Sequence, residues 1–128
     1  MAAAPQLDVT QEDVDERTQV IALRGELDVS TVPALAEPLR RAIAGGKKAV
    51  AIDLGELTFL DSTGLMVLLN GLRRVIRQGG RLAIACTNPT VLRLFEITGT
   101  ESTFTIKDSR DAALAYVREE EGSAASET

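Results

Sequence analysis

A chain of 128 residues, 45% apolar and 26% charged, can close one modest hydrophobic core and leaves no length for a second. Nineteen acids against fourteen bases give a net charge of -5, with no cationic run longer than Lys47-Lys48 or Arg73-Arg74 and few aromatic side chains, which argues against a nucleic-acid surface of clustered cations and stacking rings. Histidine is absent and Cys86 is the only cysteine, so Ser-His-Asp or Cys-His catalysis, a zinc centre and an intramolecular disulfide are excluded.

The chain opens on Met1-Ala2-Ala3-Ala4-Pro5, with neither the basic start nor the apolar run of a signal peptide. Residues 1–5 are expected to be flexible and 6–118 to form the single domain. Segments 6–11 and 18–24 read as strands joined by a hairpin whose acids Asp13, Asp15 and Glu16 stay wet; the first strand should lie antiparallel at a sheet edge. A helix at 31–44 follows. Pro38 falls inside it, where a backbone hydrogen bond is lost, so a kink or a late start near Leu35 is expected. The strand at 49–54 leads to a helix at 63–78, in which Leu65, Leu68, Leu69, Leu72, Val75 and Ile76 repeat with the spacing of one buried face.

Next come a strand at 81–86, ended by a buried Cys86, and a helix at 89–98. Asn88-Pro89 supplies an N-cap and a first-turn proline to that helix, and Gly99 closes it. A short strand at 103–106 and a helix at 109–119 complete the order. The stretch 119–128 is small, polar and acidic and is expected to be a disordered tail. No segment approaches the roughly 18 apolar residues of a membrane span. A cytoplasmic protein without membrane or nucleic-acid partners is the expectation.

After two strands the pattern αβαβαβα predicts an α/β domain, with a mixed, mostly parallel sheet of about five strands. Large and small residues alternate along the strands: Ile21 and Leu23 against Val20 and Ala22, Val50 and Ile52 against Ala49 and Ala51, Leu82 and Ile84 against Ala83 and Ala85. One sheet face is therefore bulky and the other mostly alanine, so the helices are expected to cover mainly one face. Neither GxGxxG nor GxxxxGKS is present, which sets nucleotide-binding sheets aside.

The segment Phe59-Leu60-Asp61-Ser62-Thr63-Gly64-Leu65 places a hydroxyl and a carboxylate where a strand gives way to a helix. Asp61 or Ser62 as a helix cap is the bland reading. Gly64, in the first turn, is expected to clear bulk from beside Ser62. Met66, Val67, Asn70 and Arg73 should line the non-core face, with Met66 and Val67 forming an apolar contact patch.

These residues resemble the anti-sigma factor antagonists of the STAS family, whose D-S-[ST]-G-L segment reads Asp61-Ser62-Thr63-Gly64-Leu65 here. The likeness extends to Gly25-Glu26-Leu27-Asp28, Asp53-Leu54 and Phe95-Glu96-Ile97-Thr98-Gly99. Met66 departs from it, because many members carry glycine there. The resemblance implies a STAS fold with no catalytic residue, cofactor or metal. It implies that an anti-sigma factor with serine kinase activity phosphorylates Ser62, with Thr63 as the competing hydroxyl, and that a phosphatase reverses this. By the same likeness Asp28 lies near the phosphosite, and Asp28, Asp61, Thr63, Gly64, Met66, Val67 and Asn70 meet the partner. For Asp28 the residue-level alternative is a carboxylate capping the 31–44 helix. A transporter accessory subunit or signalling scaffold is the rival role. A serine nucleophile with Lys47 or Lys48 as base is the rival chemistry, opposed by their placement at the far end of the preceding strand.

Overall fold

The computed structural model describes residues 6–119; the expectations for residues 1–5 and for the tail from residue 120 lie outside them. The elements run β1 (Leu7–Asp13), β2 (Thr18–Leu27), α1 (Val32–Ala44), β3 (Ala49–Leu60), α2 (Ser62–Arg77), β4 (Arg81–Ala85), α3 (Pro89–Thr98), β5 (Thr105–Lys107) and α4 (Arg110–Val117). The strands lie in sequence order in one five-stranded sheet, β1 antiparallel to β2 and the rest parallel. Each parallel connection carries one helix, and α1, α2 and α3 pack on the bulky face, where Ile21, Leu23, Val50, Ile52, Leu82 and Ile84 meet Leu35, Leu39, Leu68, Leu72 and Phe95.

The alanine face is not left bare. Helix α4 returns across it, setting Ala113 and Val117 against Val20, Ala49, Ala51, Ala83 and Ala85, so three of the four helices cover the bulky face, as expected in the main, and α4 is the exception. Side chains of one carbon let a short helix come close to the sheet, which is why the small face has its own cover. Arg110, at the start of α4, fixes it from above: its Nε lies 2.9 Å from Asp53 Oδ2 and a terminal nitrogen 3.3 Å from Glu12 Oε1. At the other end Arg81 reaches Glu119 at 2.6 Å, so Glu119 belongs to the folded body and not to the tail.

Three further expectations change. Helix α1 starts at Val32 and runs through Pro38 as one element, without the late start near Leu35; the buried proline ring offsets a lost backbone bond by apolar contact. Ile76, in the last turn of α2, is 57% exposed and leaves the buried stripe to Leu65, Leu68, Leu69, Leu72 and Val75. The last strand slips to Thr105–Lys107 because Thr100–Ser102 form a 3-10 turn that swings Phe104 edge-on against Phe95, ring centroids 5.3 Å apart.

Ala83, fully buried beneath α4, has no room for a larger side chain. Ala83→Leu is expected to lower unfolding free energy by about 1–3 kcal/mol in urea titration, whereas leucine at exposed Ala115 changes it by less than about 0.5 kcal/mol. Equal midpoints for the two variants would mean that α4 does not pack as described.

Candidate functional site

Strand β3 is the element that carries the site, and it is twice as long as its sequence pattern suggests. Beyond Asp53 its buried residues are Leu54, Leu57 and Leu60, a spacing of three that matches neither a flat strand nor a helix. The irregularity is a pair of register shifts against β2, between Ala22 and Arg24 and between Gly25 and Glu26. Gly25 has φ +111°, and a Cβ there would come within 2.2 Å of the Gln6 carbonyl oxygen, so only glycine fits. On β3 the Gly55 amide donates to Asp53 Oδ1 at 2.8 Å, and the Thr58 hydroxyl donates to the Gly25 carbonyl at 3.0 Å.

At the end of β3, Asp61 ties three segments together. Its amide donates to the Leu27 carbonyl at 3.2 Å; its Oδ1 accepts from the Gly64 amide at 2.9 Å and its Oδ2 from the Val29 amide at 3.2 Å. Asp61 is therefore the N-cap of α2 and also a bridge to the β2–α1 loop. With the cap taken, Ser62 is the first residue of the helix proper. It is exposed, and among the described residues its hydroxyl makes no hydrogen bond. Thr63, one position further, is half-buried.

Asp28 lies in the loop whose Val29 amide Asp61 accepts, and its own carboxylate is engaged locally. Oδ1 accepts from the Ser30 hydroxyl at 2.8 Å and from the amides of Ser30 and Thr31 at 2.9 and 3.2 Å, while the Thr31 hydroxyl accepts from the Asp28 amide. The Ser30 hydroxyl bond, with the amide bonds of Ser30 and Thr31 behind it, holds the Asp28 carboxyl below its ordinary value. It organises the entry to α1 whatever else it contacts.

Gly64 departs from its expected role. It is buried, and a Cβ would meet Leu27 Cγ at 2.7 Å and Leu60 Cδ1 at 2.9 Å; its bareness lets α2 seat against two strand ends and does not clear space beside Ser62. Val67 is also corrected, being half-buried against the main core. Met66 is 49% exposed and Asn70 and Arg73 are exposed, as expected of the outer stripe. Two apolar side chains that the sequence pattern did not single out join Met66 on exposed positions near the junction: Phe59 at 44% and Val29 at 70%. Their signal was a bulky residue just before, and one just after, a charged turn.

The serine-nucleophile chemistry has no geometry. Lys47 and Lys48 precede β3 and Ser62 follows it, so the whole strand, roughly 35–40 Å at the usual rise per residue, lies between them. Among the described residues no cluster of three or more His, Cys, Asp or Glu is placed to hold a metal ion, and no helix is long and apolar enough to cross a membrane. A hollow of about 650 Å³ opens between β1, β2, β3 and Arg110, and Ser62 is not among its lining residues. The junction offers an outward-facing surface.

Residues 9–113 match the STAS domain. The chain belongs to the STAS domain family. BtrV of Bordetella bronchiseptica, assigned as an anti-sigma factor antagonist, is 31% identical over 96 residues, covering 75% of this chain and 83% of that one. Among solved structures, an anti-sigma factor antagonist from Mycobacterium paratuberculosis superposes with a TM-score of 0.81 at 30% identity, covering 91% of this chain and 99% of that one. The anti-sigma factor antagonist SpoIIAA in its unphosphorylated form gives 0.76 at 28% identity, with 87% and 96% covered. The phosphorylated form of SpoIIAA, described as a Bacillus cell fate determinant, gives 0.70 at 27% identity, with 87% and 100% covered. The five-stranded mixed sheet and its helices are thus a STAS fold.

Two measurements check this STAS site. Gly64→Ala should destabilise the fold by about 1–3 kcal/mol in urea titration, although alanine is the better helix former by up to about 1 kcal/mol, because Leu27 and Leu60 must move. A gain in stability would show that α2 is loosely seated. Because Asp28 titrates lower in the folded protein than in the unfolded chain, its contribution is complete above the ordinary aspartate value of about 3.9 and is lost as pH falls below that. Asp28→Asn should accordingly flatten the loss of thermal stability below about pH 4. An unchanged acid limb would contradict the bonding described.

Proposed function

We propose that this chain is an anti-sigma factor antagonist whose unmodified form docks through the Ser62 junction onto an anti-sigma factor, freeing a sigma factor, and is switched off when that partner phosphorylates Ser62. The observation that carries the reading is the unbonded, exposed hydroxyl of Ser62 beside a carboxylate already committed as the helix cap. Relatives named as anti-sigma factor antagonists support the role, and the phosphorylated form of SpoIIAA supports the modification.

The physics of the switch is a competition between two effects of one phosphate. It brings a charge of about -1.5 to -2 to the start of α2. The helix N-terminus favours an anion by roughly 0.3–1 kcal/mol, so the fold tolerates the change. In the docked complex the same charge lies beside Asp61 and within an interface that includes Met66. Burying it there unpaired costs about 3–5 kcal/mol, which weakens binding by roughly two to three and a half decades. The interface term wins, and the partner is released.

In this reading the antagonist is a substrate and a ligand and carries no catalytic group of its own; the kinase is the partner, and a phosphatase restores the docking form. Asp28, Asp61, Thr63, Met66 and Asn70 surround the contact, with Phe59 and Val29 extending its apolar part. Gly64 and Val67 support it from within.

Titration of the anti-sigma factor, followed by phosphopeptide mapping after incubation with ATP and magnesium, tests this. Ser62→Ala is expected to bind like the wild type and to take up no phosphate, while Ser62→Asp binds at least tenfold more weakly. Label on Thr63 alone, or equal affinity for Ser62→Asp and wild type, would refute the assignment.

A further inference from the structure

Strand β3 outruns its neighbour on one side. Its pairing with β4 ends at Asp53 and Ala85, and the stretch from Leu54 to Leu60 continues with β2 alone. A strand segment held along one edge opens more readily than one paired on both, and here the free edge leads straight to Ser62. The β4 chain has by then turned away to begin α3.

The side chain that fills the gap is Asn88. Its Nδ2 donates to the Leu57 carbonyl at 3.1 Å across the free edge, and its Oδ1 accepts from the Thr90 amide at 2.9 Å as the N-cap of α3. One amide group therefore caps a helix with its oxygen and holds the middle of the β3 extension with its nitrogen. The other side-chain holds on this extension lie at its ends, Asp53 with Gly55 and Arg110 at the base and Asp61 at the tip, or on the β2 side, where the Thr58 hydroxyl donates to the Gly25 carbonyl and Glu56 pairs with Arg24. Among the described residues Asn88 makes the side-chain bond on the free edge.

We propose that Asn88 is a positioning residue for the Ser62 junction, standing in for the absent β4 strand so that the start of α2 is presented in one place. The effect on partner binding rests on the docking role proposed above; the effect on the strand does not. Asn88→Asp separates the two bonds. A carboxylate caps α3 as well as the amide does, but it faces the Leu57 carbonyl with an acceptor where a donor stood. Asn88→Ser also keeps a capping hydroxyl and is too short to cross to Leu57, which controls for the added charge.

Hydrogen–deuterium exchange of wild type, Asn88→Asp and Asn88→Ser, read beside titration of the anti-sigma factor, provides the test. Amides of residues 58–64 are expected to exchange about three- to tenfold faster in both variants, with those of α3 unchanged. Affinity for the partner should fall by about three- to tenfold, because the strand end, freed of this bond, must be ordered when the partner docks. A residue with a merely structural role would shift global unfolding and leave the affinity of the folded protein alone. Wild-type exchange at 58–64 in both variants, or faster exchange with unchanged affinity, would overturn the proposal. If the wild type itself does not bind the anti-sigma factor, the docking role fails, and the exchange data still decide whether Asn88 holds the strand.

Discussion

The two oxygens of Asp61 carry the arrangement on which the rest depends. One takes the Gly64 amide and so begins α2; the other takes the Val29 amide and so holds the loop that leads into α1. A serine in the capping position would have spent its own hydroxyl on the helix. Because the carboxylate does that work one residue earlier, Ser62 falls on the first helical position with its oxygen free. The usefulness of the site follows from which residue is not needed for structure.

The sheet supplies the stage for that cap. Its bulky face gathers three helices and its alanine face receives α4, so β3 is gripped on both faces at its base and is free to extend beyond β4 at its tip. Besides Gly71 and Gly80, Gly25 and Gly64 are positions where the backbone approaches other atoms more closely than a Cβ allows. Gly25 and Gly64 both lie at the end of the sheet that bears Ser62, where β2, β3 and α2 converge.

Much of this was legible in the amino-acid sequence. Element order, the antiparallel edge strand, the capping of α3 by Asn88 and Gly99, and the exposure of Ser62 all followed from local pattern. What escaped depended on contacts between distant segments. The outer half of β3 was hidden because Leu54, Leu57 and Leu60 recur every third residue once the strand is bulged. The role of Gly64 could not be read because its neighbours, Leu27 and Leu60, arrive from two strands. The place of α4 on the alanine face was not legible because Ala113 and Val117, four apart, are a faint stripe whose match, the row of sheet alanines, is apparent only in three dimensions.

On the function proposed above, a fold tolerant of an anion at one exposed oxygen and a contact surface intolerant of it together make a switch. The most direct test is isothermal titration of the anti-sigma factor with this chain bearing a single phosphate on Ser62, beside thermal unfolding of the same sample. The account predicts binding weakened at least about 100-fold with the unfolding temperature nearly unchanged. Affinity equal to that of the unmodified chain, or loss of binding only because the fold has melted, would contradict it.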